Sequence, residues 1–241
     1  MNKIIVGMGE ALWDCLPEGK KIGGAPANFA YHASQFGFDS RVVSAVGADG
    51  ATHQAIEDVA VMRALPGNTV LVPADPTATR ALVFLAASFD GPCYIRMGRD
   101  KVADVYDEKA EFKVGGSNCL RDGKDVAILA MGSRVKAALD AAEILKDKGV
   151  DAAVYDMYSL KPLDEEAVAK AAALGKIVTV EDHGITGGLG SAVCESICRQ
   201  GLCAKVKSLG IVDTFGRSGD SSELFKYFHI DVSDIVDAAL N

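Results

Sequence analysis

The chain alternates between short apolar runs and longer segments in which apolar residues recur every three or four positions. Runs such as 41–46 and 125–130 are rich in aliphatic residues, which is typical of buried strands, whereas the spacing within 134–148 predicts a helix. Because the two patterns alternate along the whole chain, they predict an α/β fold built on parallel sheets.

The same pattern predicts the order of the elements. Strands are predicted at 3–7, 41–46, 69–72, 92–96, 125–130, 152–155, 176–180 and 203–209. Helices are predicted at 28–36, 53–65, 76–88, 134–148, 165–174, 190–200, 221–228 and 231–240. Asp75, followed by Pro76, and Asp164 are predicted to cap helices. Residues 98–111 are expected to form a linker, and Phe112–Gly123 a short hairpin.

The stretch Val46–Asp58 carries the first candidate chemistry. A strand ends here, two glycines follow and a helix is expected to begin, so Asp49 and His53 fall at a strand-to-helix turn. Ligands of open α/β sheets bind at such carboxyl ends of strands. Simpler interpretations stay open, since Asp49 suits an ordinary turn and His53 the start of a helix. Arg96, at the end of another strand, could bind an anion or pair with a carboxylate.

Composition narrows the function classes. Hydrophobic residues make up 49% of the 241 positions, the mean hydropathy is +0.15 and the formal net charge is -8. The acidic balance and the lack of a basic block argue against nucleic acid as a partner. No apolar run has the length of a membrane span, and the amino terminus does not resemble a signal peptide, so a cytoplasmic protein is expected.

The six cysteines show no Cys-x-x-Cys pair. Cys194 and Cys198 are four positions apart on a predicted helix, and His183 precedes them. A metal site built from these three residues is the less favoured interpretation. Buried free thiols and no metal are expected instead.

Residues 1–47 contain motifs of one enzyme family. The motifs are Ile5-Val-Gly-Met-Gly-Glu10, Asp14, Gly23-Gly-Ala-Pro-Ala-Asn28 and Phe38-Asp-Ser-Arg-Val-Val-Ser-Ala-Val-Gly47. Together they resemble the amino end of PfkB-type (ribokinase-like) sugar kinases, fructokinases above all. The resemblance implies that Asp14, Gly24 and Asn28 would bind sugar hydroxyl groups.

Residues 46–241 contain motifs of a different family. They include Gly50-Ala-Thr-His-Gln-Ala-Ile-Glu-Asp58, Gly91-Pro-Cys-Tyr-Ile-Arg-Met-Gly-Arg99, Asp156-Met-Tyr-Ser-Leu-Lys-Pro-Leu-Asp164, Val180-Glu-Asp-His183 and Gly187-Gly-Leu-Gly-Ser-Ala-Val193. In this order they resemble the carboxyl half of a transketolase, often encoded as a separate subunit. The resemblance implies a catalytic role for His53 near the reacting carbon of the sugar. It also implies that Asp49 binds a sugar hydroxyl and Arg96 the sugar phosphate.

The transketolase resemblance implies thiamine diphosphate and Mg²⁺ as cofactors, and transfer of a two-carbon ketol unit between sugar phosphates. The glutamate that activates the cofactor and its aromatic pocket would precede residue 50, where the kinase-like stretch stands instead. The diphosphate-binding domain has no counterpart in the chain. The resemblance therefore implies a half-enzyme that is inactive alone, acting as a homodimer or with a transketolase amino-terminal subunit.

The expected organisation is a chimaera of two α/β units. Residues 1–98 would form a hybrid unit, kinase-like over 1–47 and a partial pyrimidine-binding domain over 46–98. Residues 112–241 would form a Rossmann-like transketolase C-terminal domain.

Two further functions remain open. A PfkB-type kinase would need a late Asp-Thr-x-Gly-Ala-Gly-Asp motif, which Asp213–Asp220 resembles with one residue too many and Arg217 in place of a small residue. A non-catalytic assembly module would bind partners without using His53 or Arg96. The glycines of 187–190 lack the spacing of a dinucleotide fingerprint and predict a tight turn against a closely packed helix.

Overall fold

A computed structural model describes residues 4–9, 12–16, 19–23, 39–45, 55–98, 101–217 and 219–241 of the chain. Before residue 55 it describes backbone strands only. Asp49, His53, Gly24 and Asn28, and the helix predicted at 28–36, lie outside the described residues. Asp14 falls on a described strand, whose side chains are not described.

The first sheet gathers strands from both halves of the chain. Its strands are β1 (Ile4–Gly9), β4 (Asp39–Ala45), β5 (Thr69–Leu71), β6 (Cys93–Met97) and β10 (Ser159–Lys161), in the order β1-β4-β6-β5-β10. All neighbours are parallel except β5 and β10. A separate antiparallel pair joins β2 (Leu12–Leu16) and β3 (Gly19–Gly23). Since β10 follows three strands of a second sheet along the chain, the polypeptide crosses from that sheet to the edge of the first.

The second sheet has the order β12-β11-β8-β9-β7. Its strands are β7 (Asn118–Arg121), β8 (Val126–Ala130), β9 (Ala152–Asp156), β11 (Lys176–Gly184) and β12 (Lys205–Ile211). The hairpin predicted at 112–123 is wrong, because β7 pairs antiparallel with β9. The other pairs are parallel, as the alternating pattern predicts.

Seven described helices connect the strands: α1 (Asp58–Ala64), α2 (Pro76–Ser88), α3 (Arg134–Asp147), α4 (Glu165–Ala173), α5 (Leu189–Arg199), α6 (Ser221–Tyr227) and α7 (Val232–Leu240). Asp75 and Asp164 cap α2 and α4 through their side chains, as predicted. The helix predicted from residue 53 begins only at Asp58. The backbone before it is tied to β11, where the Gly184 amide donates to the Ile56 carbonyl over 2.7 Å.

Apolar side chains cover both faces of the second sheet. All five residues of β8 are buried, which requires helices on both sides of the strand. Val135 of α3 and Ile235 of α7 belong to one cluster, and Val168 of α4 and Val193 of α5 to the other. The second cluster also includes Val70 and Tyr94 of the first sheet, so one core runs through both units.

The cysteines differ from the expectation of buried thiols. Cys93 is buried, but the side chains of Cys119, Cys194, Cys198 and Cys203 are exposed. Cys119 lies at an exposed position of β7, Cys194 and Cys198 lie on the outer face of α5, and Cys203 lies in the connection between α5 and β12. None of the described helices has the length and apolar character needed to cross a lipid bilayer.

Candidate functional site

Arg96 is the centre of a buried ionic network between the two units. Its Nε lies 3.1 Å from Asp58 Oδ2, and its Nη1 donates to Asp182 Oδ1 over 2.6 Å. Nη2 donates to the Asp182 backbone carbonyl over 3.1 Å, and the Tyr94 hydroxyl donates to Asp58 Oδ2 over 2.7 Å. The Arg96 side chain is 2% exposed, so this network is shielded from water. Strand β6 supplies Arg96 and Tyr94, helix α1 supplies Asp58, and strand β11 supplies Asp182.

The charged groups of the network shift each other's pKa values. Burial alone would lower the pKa of Arg96, but Asp182 and then Asp58 raise it above its ordinary value. Burial alone would raise the pKa of Asp182, but Arg96 and then Arg134 hold it below its ordinary value. Arg96 and Asp182 therefore each stabilise the charged form of the other.

His183 lies beside the network, and both of its ring nitrogens interact with backbone groups. Its Nε2 accepts from the Val59 amide over 3.2 Å, and its Nδ1 lies 2.7 Å from the Gly184 carbonyl. Since a carbonyl only accepts, Nδ1 carries the proton and the ring is neutral in this arrangement. The side chain is fully buried. This placement agrees with a packing role for His183, and it fixes the start of α1 against β11.

Glu181 occupies the amino end of α5. Its two carboxylate oxygens accept from the Leu189 and Gly190 amides over 2.8 and 2.9 Å. A Cβ atom on Gly188 would lie 1.9 Å from Glu181 Oε2, so only glycine allows this approach. The chain's own carboxylate fills the position where a phosphate would otherwise bind a helix amino terminus. The close packing predicted for residues 187–190 is confirmed.

Asp75 joins the linker to the first sheet. Its Oδ1 caps α2 by accepting from the Ala78 amide over 2.7 Å. Its Oδ2 accepts from the Val105 and Tyr106 amides, each over 2.8 Å. The Tyr106 hydroxyl then donates to Asp156 Oδ2 over 2.7 Å. Two buried carboxylates therefore hold the segment that connects the units.

Asp156 is a buried carboxyl group whose pKa is raised. Its Oδ1 has no hydrogen-bond partner among the described residues. Burial raises the pKa of Asp156 from 3.8 to about 7; the Tyr106 hydrogen bond opposes this rise, and Asp75 adds to it. Below that pKa the folded protein holds a proton here. This proton is not part of the ionic network around Arg96.

The stability of the protein is expected to fall as pH rises from 5 to 8, and Asp156→Asn is expected to remove most of that fall. Between about pH 4 and pH 7 the folded chain keeps a proton that the unfolded chain has released, so raising the pH from 5 to 8 favours unfolding by about 2–3 kcal/mol, and the effect levels off above about pH 7. Urea unfolding at several pH values measures the slope. Exposed Asp104→Asn is the matched control and should keep the wild-type slope. Parallel slopes for wild type and Asp156→Asn would contradict the assignment.

The described residues contain one of the three residues assigned to the transketolase-like site. Arg96 lies near the end of β6 and pairs with Asp58 and Asp182, which agrees with the simpler interpretation that it pairs with a carboxylate. Its binding of a phosphate stays a prediction. His53 and Asp49 stay predictions outside the described residues. Sequence reasoning did not find Asp58 and Asp182 as partners of Arg96. The sequence signal that could have indicated these partners was an acidic residue, Asp58, within a predicted helix and another, Asp182, just after the end of a predicted strand.

Two residues of the kinase-like stretch Asp213–Asp220, Arg217 and Asp220, make contacts with helix α6. Asp220 accepts from the Ser222 amide over 2.9 Å and caps α6. The Arg217 guanidinium carbon lies 4.4 Å from the centre of the Tyr227 ring. Across the parts of the chain described, no three His, Cys, Asp or Glu side chains converge on a metal site.

Two family models match the chain. The transketolase C-terminal domain matches residues 115–235, and the transketolase pyrimidine-binding domain matches residues 37–104. The second match begins at residue 37, so it includes the stretch 38–47 that also resembles kinases. No comparison shows a kinase fragment ahead of it.

Curated relatives agree with this assignment. A putative transketolase C-terminal section of Methanocaldococcus jannaschii is 45% identical over 79% of this chain and 60% of the relative. One subunit of the apulose-4-phosphate transketolase of Phocaeicola vulgatus is 42% identical over 81% of this chain and 63% of the relative. The chain thus spans about three fifths of the length of these relatives.

Solved structures share the fold. A split-gene transketolase described as an inactive β4 tetramer aligns with a TM-score of 0.78 and 41% identity, over 84% of this chain and 66% of that chain. Transketolase from Campylobacter jejuni aligns with a TM-score of 0.68 and 25% identity, over 89% of this chain and 33% of that chain. The chain belongs to the transketolase family.

Proposed function

We propose that this chain is the carboxyl-terminal portion of a cytoplasmic transketolase, which transfers a two-carbon ketol unit between phosphorylated sugars once a partner supplies the diphosphate-binding domain. The observation that carries the proposal is the match of both carboxyl-terminal transketolase domains in family order. The relatives that are named as transketolase subunits support a divided enzyme.

The described residues do not fit thiamine diphosphate and Mg²⁺ by themselves. A diphosphate with a divalent ion needs oxygen ligands for the metal and donors for the phosphates. No metal-ligating cluster is found within the described ranges, and the buried cation Arg96 already faces two carboxylates. Glu181 fills the amino end of α5. We therefore assign cofactor binding to the assembled enzyme and derive no step through the cofactor from this chain.

Arg96 is proposed to bind the sugar phosphate while remaining held by its carboxylates. A guanidinium has five N–H donors, and three of them serve Asp58 and Asp182. One N–H on each terminal nitrogen remains for a phosphate, and a planar fork suits that ligand. His53 is proposed to handle a proton near the reacting carbon, and Asp49 to bind a donor-sugar hydroxyl.

The test is calorimetric titration of the chain with thiamine diphosphate and Mg²⁺, alone and after adding the amino-terminal subunit of a split transketolase. We expect binding only with the subunit, because the missing donors come from it. The split-gene relative forms an inactive β4 tetramer, which supports self-association without activity. No binding in either case would overturn the proposed cofactor dependence, and binding to the chain alone would overturn the division of the site.

The reconstituted complex also separates an enzyme from an assembly module. In it, Arg96→Lys should raise the KM for the sugar phosphate about ten-fold or more, because lysine keeps the charge but loses the fork. His53→Ala should abolish turnover while the subunits still associate. Exposed Arg80→Lys is the matched control. Turnover unchanged in both site variants would favour the non-catalytic module.

Residues 1–36, ahead of the family match, are proposed to derive from a PfkB-type kinase amino end, with Asp14, Gly24 and Asn28 as remnants of its sugar site. The supporting observation is the set of motifs up to Asn28; β1 then pairs in parallel with β4 of the transketolase-like sheet. Sequencing the source gene across codons 20–80 tests whether the fusion is natural. Sugar-dependent ATP consumption by the purified chain would revive the kinase alternative.

A further inference from the structure

A cavity of about 610 Å³ lies at the amino end of α3. The end of β6, the linker, the first turn of α3 and the helices α6 and α7 surround it. Four carboxylates and four cations line it, so its formal charge is balanced. The carboxylates and the cations differ in whether each group already has a hydrogen-bond or ion-pair partner.

All four carboxylates of the cavity are already engaged. Asp140 pairs with Lys136 one turn away on α3. Asp182 holds Arg96 and accepts from the Ser133 hydroxyl over 3.1 Å. Asp220 and Asp231 cap α6 and α7. Each of these acids therefore has a partner of its own, although Asp182 and Asp231 still attract Arg134 at longer range.

Three of the four cations lack such a partner. Within the described ranges, no carboxylate lies within 4 Å of the charged nitrogens of Arg134, Lys101 or Lys226. Lys101 and Lys226 are exposed at the rim. Arg134 is 6% exposed, and a buried charge without a counter-ion is unfavourable.

The hydrogen bonds of Arg134 are few and long. Its Nε lies 3.3 Å from Ser133 Oγ, and its Nη1 lies 3.5 Å from the Ile230 carbonyl. The guanidinium carbon stacks 3.2 Å from the centre of the Phe225 ring. Burial lowers the pKa of Arg134 to about 10, despite attraction to Asp182 and Asp231. Three of its five donors have no partner among the described residues, and the side chain lines the cavity.

We propose that this cavity binds a phosphomonoester anion, with Arg134 at its base and Lys101 and Lys226 at its rim. A dianion matches three cations better than a single carboxylate does, and a guanidinium fork suits phosphate. The amino end of α3, a helix of 14 residues, adds favourable dipole potential. The site is distinct from the proposed sugar-phosphate contact at Arg96, and the inference does not depend on transketolase activity.

The experiment titrates the full chain, without thiamine diphosphate or a partner subunit, with inorganic phosphate and with fructose 6-phosphate, followed by calorimetry. Tighter binding of the ester would identify a phosphorylated metabolite as the ligand, and equal binding would identify free phosphate. Lys101→Gln and Lys226→Gln should each weaken binding about ten-fold, and Arg134→Gln more. Exposed Lys124→Gln, which does not line the cavity, should leave binding unchanged.

The rim lysines keep the test decisive if Arg134→Gln fails to fold. Affinity unchanged in Lys101→Gln and Lys226→Gln would overturn the proposal, as would the absence of phosphate binding at millimolar concentration. Binding lost in Arg96→Lys but kept in the rim variants would move the site to the Arg96 network. Because no cofactor is added, failed reconstitution of transketolase activity would leave this result intact.

Discussion

Arg96→Met is expected to lower the free energy of unfolding by about 3–5 kcal/mol, because it leaves two buried carboxylates without their cation. Asp58 and Asp182 have side-chain exposures of 7% and 4%, so water cannot replace the guanidinium. Urea unfolding at pH 7, followed by circular dichroism, measures the loss. Arg96→Lys keeps the charge but loses the fork, and should cost less.

The reason for the loss can be checked independently. Adding Asp58→Asn and Asp182→Asn to Arg96→Met removes the stranded charges, so the triple variant should recover a large part of the stability. The cost of Arg96→Met should also shrink toward pH 4. The variant gains stability there by protonating its unpaired carboxyls, whereas the wild type keeps the contribution of Asp182, whose pKa is held below its ordinary value, until the pH falls below about 3.8. A single variant as stable as the wild type would contradict the network's role.

Glu181→Ala is expected to cost about 3–4 kcal/mol, the second largest effect. The substitution leaves the Leu189 and Gly190 amides without an acceptor, removes a negative charge from the amino end of α5 and opens a cavity. The side chain is fully buried, so water does not readily substitute for it. Urea unfolding again measures the loss.

A matched pair of variants isolates the charge of Glu181 from its volume. Glu181→Gln keeps the shape but turns one acceptor into a donor that faces an amide, so it should cost about 2 kcal/mol. Exposed Glu108→Ala should change stability by less than about 0.5 kcal/mol. If Glu181→Ala behaved like Glu108→Ala, the carboxylate would not be what fixes α5 in place.

Local features of the fold could be predicted from the sequence because the interactions that set them are local. Asp75 caps α2 ahead of Pro76, and the helix ends at Ser88 where the pattern predicted. The apolar run 126–130 forms a strand buried on both faces. A cap, a proline or a hydrophobic period acts within a few residues, so the order of residues along the chain already contains it.

Pairings between distant segments needed the tertiary structure. Residues 112–123 resembled a hairpin, but β7 finds its partner in β9 and β10 crosses to the first sheet. Asp75 was predicted as a cap, and its second role in holding the linker was not. Cysteines expected to be buried face solvent, because neighbouring elements determine which side of a strand or helix is covered.

Some features of the candidate site could likewise be predicted from the sequence, and others needed the tertiary structure. The sequence by itself determined the family, the α/β class and the position of Arg96 at a strand end. Only the tertiary structure decided that Arg96 meets Asp182, 86 positions away, and that Arg134 is left in a cavity whose acids are already engaged. The reason is physical: the charge that a side chain faces depends on which chain segments pack around it in a low-dielectric interior, and packing brings together residues that no local pattern connects.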